Sequence, residues 1–215
     1  MNRQRTVWGI ACGMIAGVTM ATWSVSVEAT EEKQLQAEYT VSAKTKFNLD
    51  SKVGTITFER TDGDVMLVSA RAYQDDSSFF NKKGRVSDAE LTARQDGNKL
   101  TLKVNNDDDG KFDWYIKLPQ VNNVDVDLGV GTIDGELWST DMSIDLGVGS
   151  IELDLYGDYR SIKTDVGVGD STLKGAAQHI ENNRFLMTAS SRASSTGNAK
   201  ISIDTGVGDI SITMH

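Results

Sequence analysis

The sequence predicts an all-β chain, a single-stranded parallel β-solenoid with coils of about 19 residues and a less regular N-terminal half. Three observations predict it. The motif Asp-x-Gly-Val-Gly occurs four times, at Asp127, Asp145, Asp165 and Asp204. Apolar and polar residues alternate on its N-terminal side in each copy, the period of a strand with one buried face. The chain holds 20 glycines against a single proline, Pro119, so it bends often without being a proline-rich linker.

Taken from its start, the chain opens with "MNRQR" and an apolar run to Val27, followed by "EAT". A basic end, an apolar stretch and small residues at Val27 and Ala29 describe a secretory signal peptide cut after Ala29. Residues 1–29 are therefore expected to be the signal and residues 30–215 a β-solenoid domain, periplasmic or secreted, with no stable membrane insertion after cleavage. The same run retained as an anchor is the alternative. Cys12 is the only cysteine, so the mature chain has no disulfide framework.

From Phe47 onward the repeats can be aligned on their second glycines, Gly131, Gly149, Gly169 and Gly208, separated by 18, 20 and 39 residues. A fifth copy lies 77 residues before Gly131, at Gly54, with Asp50 under Asp127 and Lys52 in place of the first glycine. One column reads Leu49, Val126, Ile144, Thr164 and Ile203, and another Ile56, Ile133, Ile151 and Ile210, with Ser171 as its exception. The alternation slips by one residue at the glycines, and a slip turns a side chain to the other face unless the backbone bends. Gly-Val-Gly thus reads as a corner, with Val53, Val130, Val148, Val168 and Val207 expected to point inward. Successive copies would stack about 4.8 Å apart.

Between the first copy and the others, "DVMLVSARAY", "AELTAR", "KLTLKV" and "FDWYIKLP" read as strands separated by the turns "TDGD", "QDGN" and "NDDDG". "QDDSSFFNKKGRVSD" reads as a surface loop. Ala176–Asn198 fills one interval that lacks the corner motif, and is expected to bulge out with a short helical turn.

The early "GTITF" strand, "WYIKLP" ahead of the repeats and the recurring Asp-x-Gly-x-Gly coils resemble an adhesin-like β-solenoid domain family of unknown function in bacterial envelope proteins. The resemblance covers Phe47 to His215. It implies a β-solenoid outside the cytoplasmic membrane, without an established enzymatic activity and with relatives connected to envelope stress. It carries over no catalytic residues.

Function is bounded mostly by charge and by the repeated acids. The formal net charge is −9, and −10 once residues 1–29 are set aside. A phosphate backbone needs basic side chains, so nucleic acid is not an expected partner. The glycines do not form a dinucleotide loop, because strand-like residues follow each copy where a helix would have to begin.

Asp127, Asp145 and Asp165 form the most suggestive column, with Asp204 and Asp50 further along it. Unit charges 4.8 Å apart repel by roughly 0.9 kcal/mol in water and about 3.5 kcal/mol at an effective dielectric of 20. Each carboxylate is expected either to cap its own glycine turn or to share a calcium-type oxygen site with its neighbours. Asn105, Asp107, Asp109 and Gly110 match half of an EF-hand loop, but Ile116 stands where its glutamate belongs.

Trp138 and Tyr156 occupy equivalent positions and are expected to face outward, packed under a loop or, as the alternative, forming a surface for a sugar or a protein. His179 and His215 have neither zinc-ligand spacing nor a nucleophile partner. The reading is a non-enzymatic extracytoplasmic module with a structural or binding role, its partner an envelope protein or polysaccharide. A β-helix enzyme acting on polysaccharide through the repeated aspartates is the alternative. Self-association through a final strand that ends uncapped at His215 is a third expectation.

Overall fold

The structure is a computed structural model, and it describes residues 32–73, 89–105 and 111–215. The expected signal segment, the expected surface loop at 74–88 and residues 106–110 of the EF-hand-like stretch lie outside the described residues.

Thirteen strands make up the described chain. The first six are β1 (Glu32–Thr40), β2 (Lys46–Arg60), β3 (Val65–Tyr73), β4 (Glu90–Asp96), β5 (Lys99–Asn105) and β6 (Lys111–Leu118). Then come β7 (Asn123–Trp138), β8 (Asp141–Tyr156), β9 (Tyr159–Val168), β10 (Ser171–Gly175), β11 (His179–Phe185), β12 (Thr188–Ser194) and β13 (Ala199–Met214). All the expected strands are present, and β1 joins them with an alternation that the sequence reading passed over.

The repeats pair in register and in parallel. Asp50, Val53, Gly54 and Ile56 of β2 lie beside Asp127, Val130, Gly131 and Ile133 of β7, and the same positions of β7 lie beside Asp145, Val148, Gly149 and Ile151 of β8. Each long strand is folded on itself. Asn123 is paired with Asp141, and Trp138 is only three residues before Asp141. The two ends of β7 therefore lie within about 16 Å, whereas a straight strand of that length would run about 50 Å. The bend is at Gly-Val-Gly, where Gly149 has φ +145° and a Cβ would meet the Gly131 carbonyl oxygen at 1.7 Å. Glycine is required there both by conformation and by the closeness of the next backbone.

Lys52 is the instructive departure. A Cβ on Gly129 would strike the Lys52 carbonyl oxygen, and one on Gly147 the Gly129 carbonyl oxygen. Beyond Lys52, however, β2 pairs with β5 only as far as Leu49 and with β6 only from Gly54. Lys52 faces that gap, so a side chain fits.

The interior follows the predicted columns. Phe47, Val124, Met142, Ile162 and Ile201 form one buried file, and Ile56, Ile133, Ile151 and Ile210 another. Burying one aliphatic side chain of this kind contributes about 1.5–3 kcal/mol. Among the polar exceptions, Ser51, Thr164 and Ser171 find partners, whereas Thr205 Oγ1 is buried without one among the described residues. Trp114 Nε1 donates to Ser51 Oγ at 3.1 Å in the core. Thr164 Oγ1 and Ser171 Oγ are 2.5 Å apart, and Ser171 Oγ donates to Ser191 Oγ at 3.0 Å.

Four expectations are corrected. The sheet is mixed, because antiparallel pairs flank the parallel stack on both sides: β3 with β1 and β6 at one end, β12 with β9 and β11 at the other. The stack does not follow chain order, since β13 pairs with β8 on one side and with β9 on the other. The segment 176–198 holds no helical turn but the hairpin β11–β12, which carries the chain past β9 and back. Lastly, the corner valines face out: Val130, Val148, Val168 and Val207 are 43–48% exposed. The slip in alternation leaves four residues between buried Leu146 and buried Ile151, and Val148 lies on the convex side of that bend.

The final strand is no open edge either. β13 is interior to the sheet, and the His215 amide donates to the Leu155 carbonyl at 2.9 Å. The edge beside it, β10, is covered by Asn182, whose amide group donates to the Leu173 carbonyl and accepts from the Leu173 N–H. That side chain occupies the positions a further strand would take.

Candidate functional site

The in-register pairing sets five aspartates in one file across the strands, in the order Asp50, Asp127, Asp145, Asp204, Asp165. The sequence reading placed Asp165 next to Asp145. Asp204 stands between them, so Asp127 and Asp145 are neighbours and Asp165 is not part of that pair.

The file borders a trough of about 920 Å³. Its floor is the first-glycine file, Gly129, Gly147, Gly206 and Gly167, and the hairpin tip at Arg184 and Phe185 bounds it. The trough exists because these positions carry no side chain, and they carry none because the strands approach too closely for a Cβ. The same geometry that packs the stack therefore exposes a strip of bare backbone beside a row of carboxylates.

Charge along the file is uneven. Lys103 Nζ pairs with Asp50 at one end and Lys163 Nζ with Asp165 at the other. Ser202 Oγ donates to Asp204 at 3.2 Å. Desolvation, and then the charges of Asp125 and Asp50, raise the Asp127 carboxyl above its ordinary pKa. Asp145 is raised by desolvation and then by Asp204, Asp127 and Asp125. At the middle of the file desolvation and neighbouring carboxylates therefore outweigh the attraction of Lys103.

None of these aspartates caps a glycine turn through a hydrogen bond among the described residues. Among the described residues, too, no group of three or more His, Cys, Asp or Glu is arranged to hold a metal ion.

Trp138 and Tyr156 are paired neighbours, but their faces are covered. The Arg60 guanidinium carbon lies 4.3 Å from the Trp138 ring centroid and 4.1 Å from that of Tyr156. His215 stacks on Tyr156 with ring centroids 4.5 Å apart and planes 11° from parallel. Trp138 Nε1 donates to the Thr61 carbonyl at 3.0 Å, and His215 Nε2 bonds Asp154 Oδ1 at 2.8 Å. The pair is packed into a ladder rather than left as an open aromatic platform. His179, the other histidine, meets Glu181 at the surface.

Sequence reasoning missed the outward valine file and the hairpin tip. Phe185, Leu186 and Met187 are 66–81% exposed. The tip is held in place, because Thr188 Oγ1 donates to the Phe185 carbonyl and the Gly169 amide to the Met187 carbonyl. Leu186 has φ +54°, at the first position of a two-residue hairpin turn, where glycine is the usual choice. The departure from that turn chemistry was the available signal.

Fold and site define an all-β module with a mixed sheet, built on stacked glycine bends. The chain belongs to the family described as the N-terminal domain of toast_rack, DUF2154, whose model matches residues 24–174. The strands beyond residue 174 extend the same stack, with β13 entering it between β8 and β9.

Among solved structures, the chain is similar to a candidate cell adhesion protein from Clostridium sporogenes, at 14% identity and a TM-score of 0.46, over 85% of this chain and 100% of that one. It is also similar to a candidate adhesin from Bacteroides fragilis, at 15% identity and a TM-score of 0.23, over 84% of this chain and 97% of that one. At these values the likenesses carry no functional argument. No curated protein matches the chain.

Proposed function

We propose that the protein is a non-enzymatic binding module of the bacterial cell envelope, adhesin-like in the sense of presenting an extended repetitive surface to a protein or polysaccharide. The observation that carries this reading is the aspartate file beside the bare glycine trough. It is a continuous surface five strands wide, and its acids are evenly spaced instead of being set in the contrasting environments that divide acid and base roles. The basic and apolar N-terminal segment supports a location outside the cytoplasmic membrane. The β-solenoid description in its finer form, coils wound about one axis, belongs to this reading as well.

The test is recovery of crosslinked neighbours from intact cells, with calcium present and absent, using the wild-type chain and the double variant Asp127→Asn, Asp145→Asn. A discrete neighbour captured by the wild type and lost in the folded variant is expected. Dependence of that capture on calcium would place a cation in the inner file. A glycan-cleaving activity that disappears in the variant would overturn the reading in favour of an enzyme.

A further inference from the structure

The valine file continues into the hairpin tip. Val130, Val148, Val207 and Val168 are adjacent in that order, and the Gly169 amide, next to Val168, is hydrogen-bonded to Met187. With the exposures of these valines and of Phe185, Leu186 and Met187, this ridge presents on the order of 600 Å² of apolar surface, at the top of the range for the largest patch on a monomer. A leucine held at positive φ in an exposed turn adds a conformational cost. Both features ask for an occupant.

Charge selects which one. In each repeat the carboxylate lies three residues before the valine, with the glycine floor between them. Two copies joined ridge to ridge would bury about 1,200 Å², the bottom of the range for a stable pair. They would also bring two acidic files together in a chain of net charge −9. A cationic partner has the opposite effect. The chain's own Lys103 and Lys163 already sit on the two ends of the file, and Asp127, Asp145 and Asp204 lie between them.

Spacing selects its shape. Equivalent side chains recur about every 4.8 Å along the files. A helix laid along them repeats every 5.4 Å turn, and an extended strand repeats its same-face side chains about every 6.6 Å. Over the four steps of the file the helix drifts by about 2.4 Å and the strand by about 7 Å.

We propose that the trough and valine ridge receive an amphipathic helix of a partner protein, roughly 13 residues long, its apolar stripe on the valines and its Lys or Arg flank on Asp127, Asp145 and Asp204. This rests on the binding-module reading and names the chemistry of its partner.

The probe is a designed 14-residue helical peptide with a leucine stripe and one lysine flank, compared with a scrambled peptide of the same composition, by fluorescence anisotropy on the full chain. The helical peptide is expected to bind at least tenfold more tightly than the scrambled one. That advantage should fall at least fivefold in Asp127→Asn, Asp145→Asn and, independently, in Val148→Thr, Val207→Thr, both with unchanged circular dichroism. Equal binding of the two peptides, or binding indifferent to both variants, overturns the proposal. So does sedimentation showing a dimer that Val148→Thr abolishes, or binding to zwitterionic vesicles lost in Phe185→Ser. If the peptides fail while intact-cell capture still depends on Asp127 and Asp145, the helix falls and the binding-module reading stands.

Discussion

Gly208 lies so close to Gly149 that a Cβ built on it would stand 1.6 Å from the Gly149 carbonyl oxygen, at a φ of +142°. Neither neighbour can yield, since each is a backbone in the middle of the stack. Gly208→Ala is expected to destabilise the fold by at least about 3 kcal/mol. Gly63, at φ +98° with nothing within 4 Å, is the control, and Gly63→Ala should cost about 1–2 kcal/mol. Urea unfolding of the two variants checks the contrast. Equal losses would mean that conformational strain, not contact between strands, dictates glycine in the file.

Thr164, Ser171 and Ser191 form a closed polar cluster in an otherwise aliphatic interior. Ser191 Oγ also donates to the Ser171 carbonyl at 3.0 Å, and the Ser191 amide donates to Thr164 Oγ1 at 3.2 Å. Removing one member strands the others, and Ser191→Ala is expected to cost about 1–3 kcal/mol. Substituting all three, as Thr164→Val, Ser171→Ala and Ser191→Ala, should recover part of that loss, because no hydroxyl is then left seeking a partner. A triple variant whose loss equals the sum of the three single losses would refute coupling.

This cluster marks the boundary of what could be read in the sequence. Thr164 and Ser171 are two of the residues that break the aliphatic columns, so the sequence flagged both places, yet their meeting needs Ser191, which no repeat contains. The files themselves were legible because period-2 alternation and glycine spacing are local properties. The order of the strands was not. All five bends are interchangeable by pattern, and only the hairpin β11–β12, returning the chain past β9, lets β13 settle beside β8. The valines were misread because alternation counts residues and cannot see on which side of a bend the extra residue falls. In the candidate site, the aspartate file was evident, its neighbours and the trough were not, and the Arg60 stack draws on a residue outside the repeat register.

The raised carboxyls give a pH dependence of definite sign. Asp127 and Asp145 hold protons more tightly folded than at the ordinary value of 3.8. Between that value and their folded pKa values the native state binds more protons than the unfolded chain, so stability falls as pH rises through this window. Above it both groups oppose folding. Asp127→Asn, Asp145→Asn should therefore be more stable than wild type at neutral pH, with the difference shrinking as pH falls towards 4. Urea midpoints measured across that range check it. A variant less stable at pH 7 would show that these carboxylates make favourable contacts.

Arg60 tests whether the aromatic ladder is structural. Its guanidinium lies over two rings, Glu136 is 3.8 Å from its Nε, and that Nε is buried without a hydrogen-bond partner. An arginine in this setting contributes through its flat face more than through its ion pair. Arg60→Ala is expected to cost about 1–3 kcal/mol and to shift the fluorescence of Trp138. Arg60→Lys keeps the charge but not the plane, so it should recover less than half of the loss. Full recovery with lysine would assign the stabilisation to charge alone. An Arg60→Ala variant within about 0.5 kcal/mol of wild type would show that the ladder holds without its cation, and would return Trp138 and Tyr156 to consideration as a binding surface.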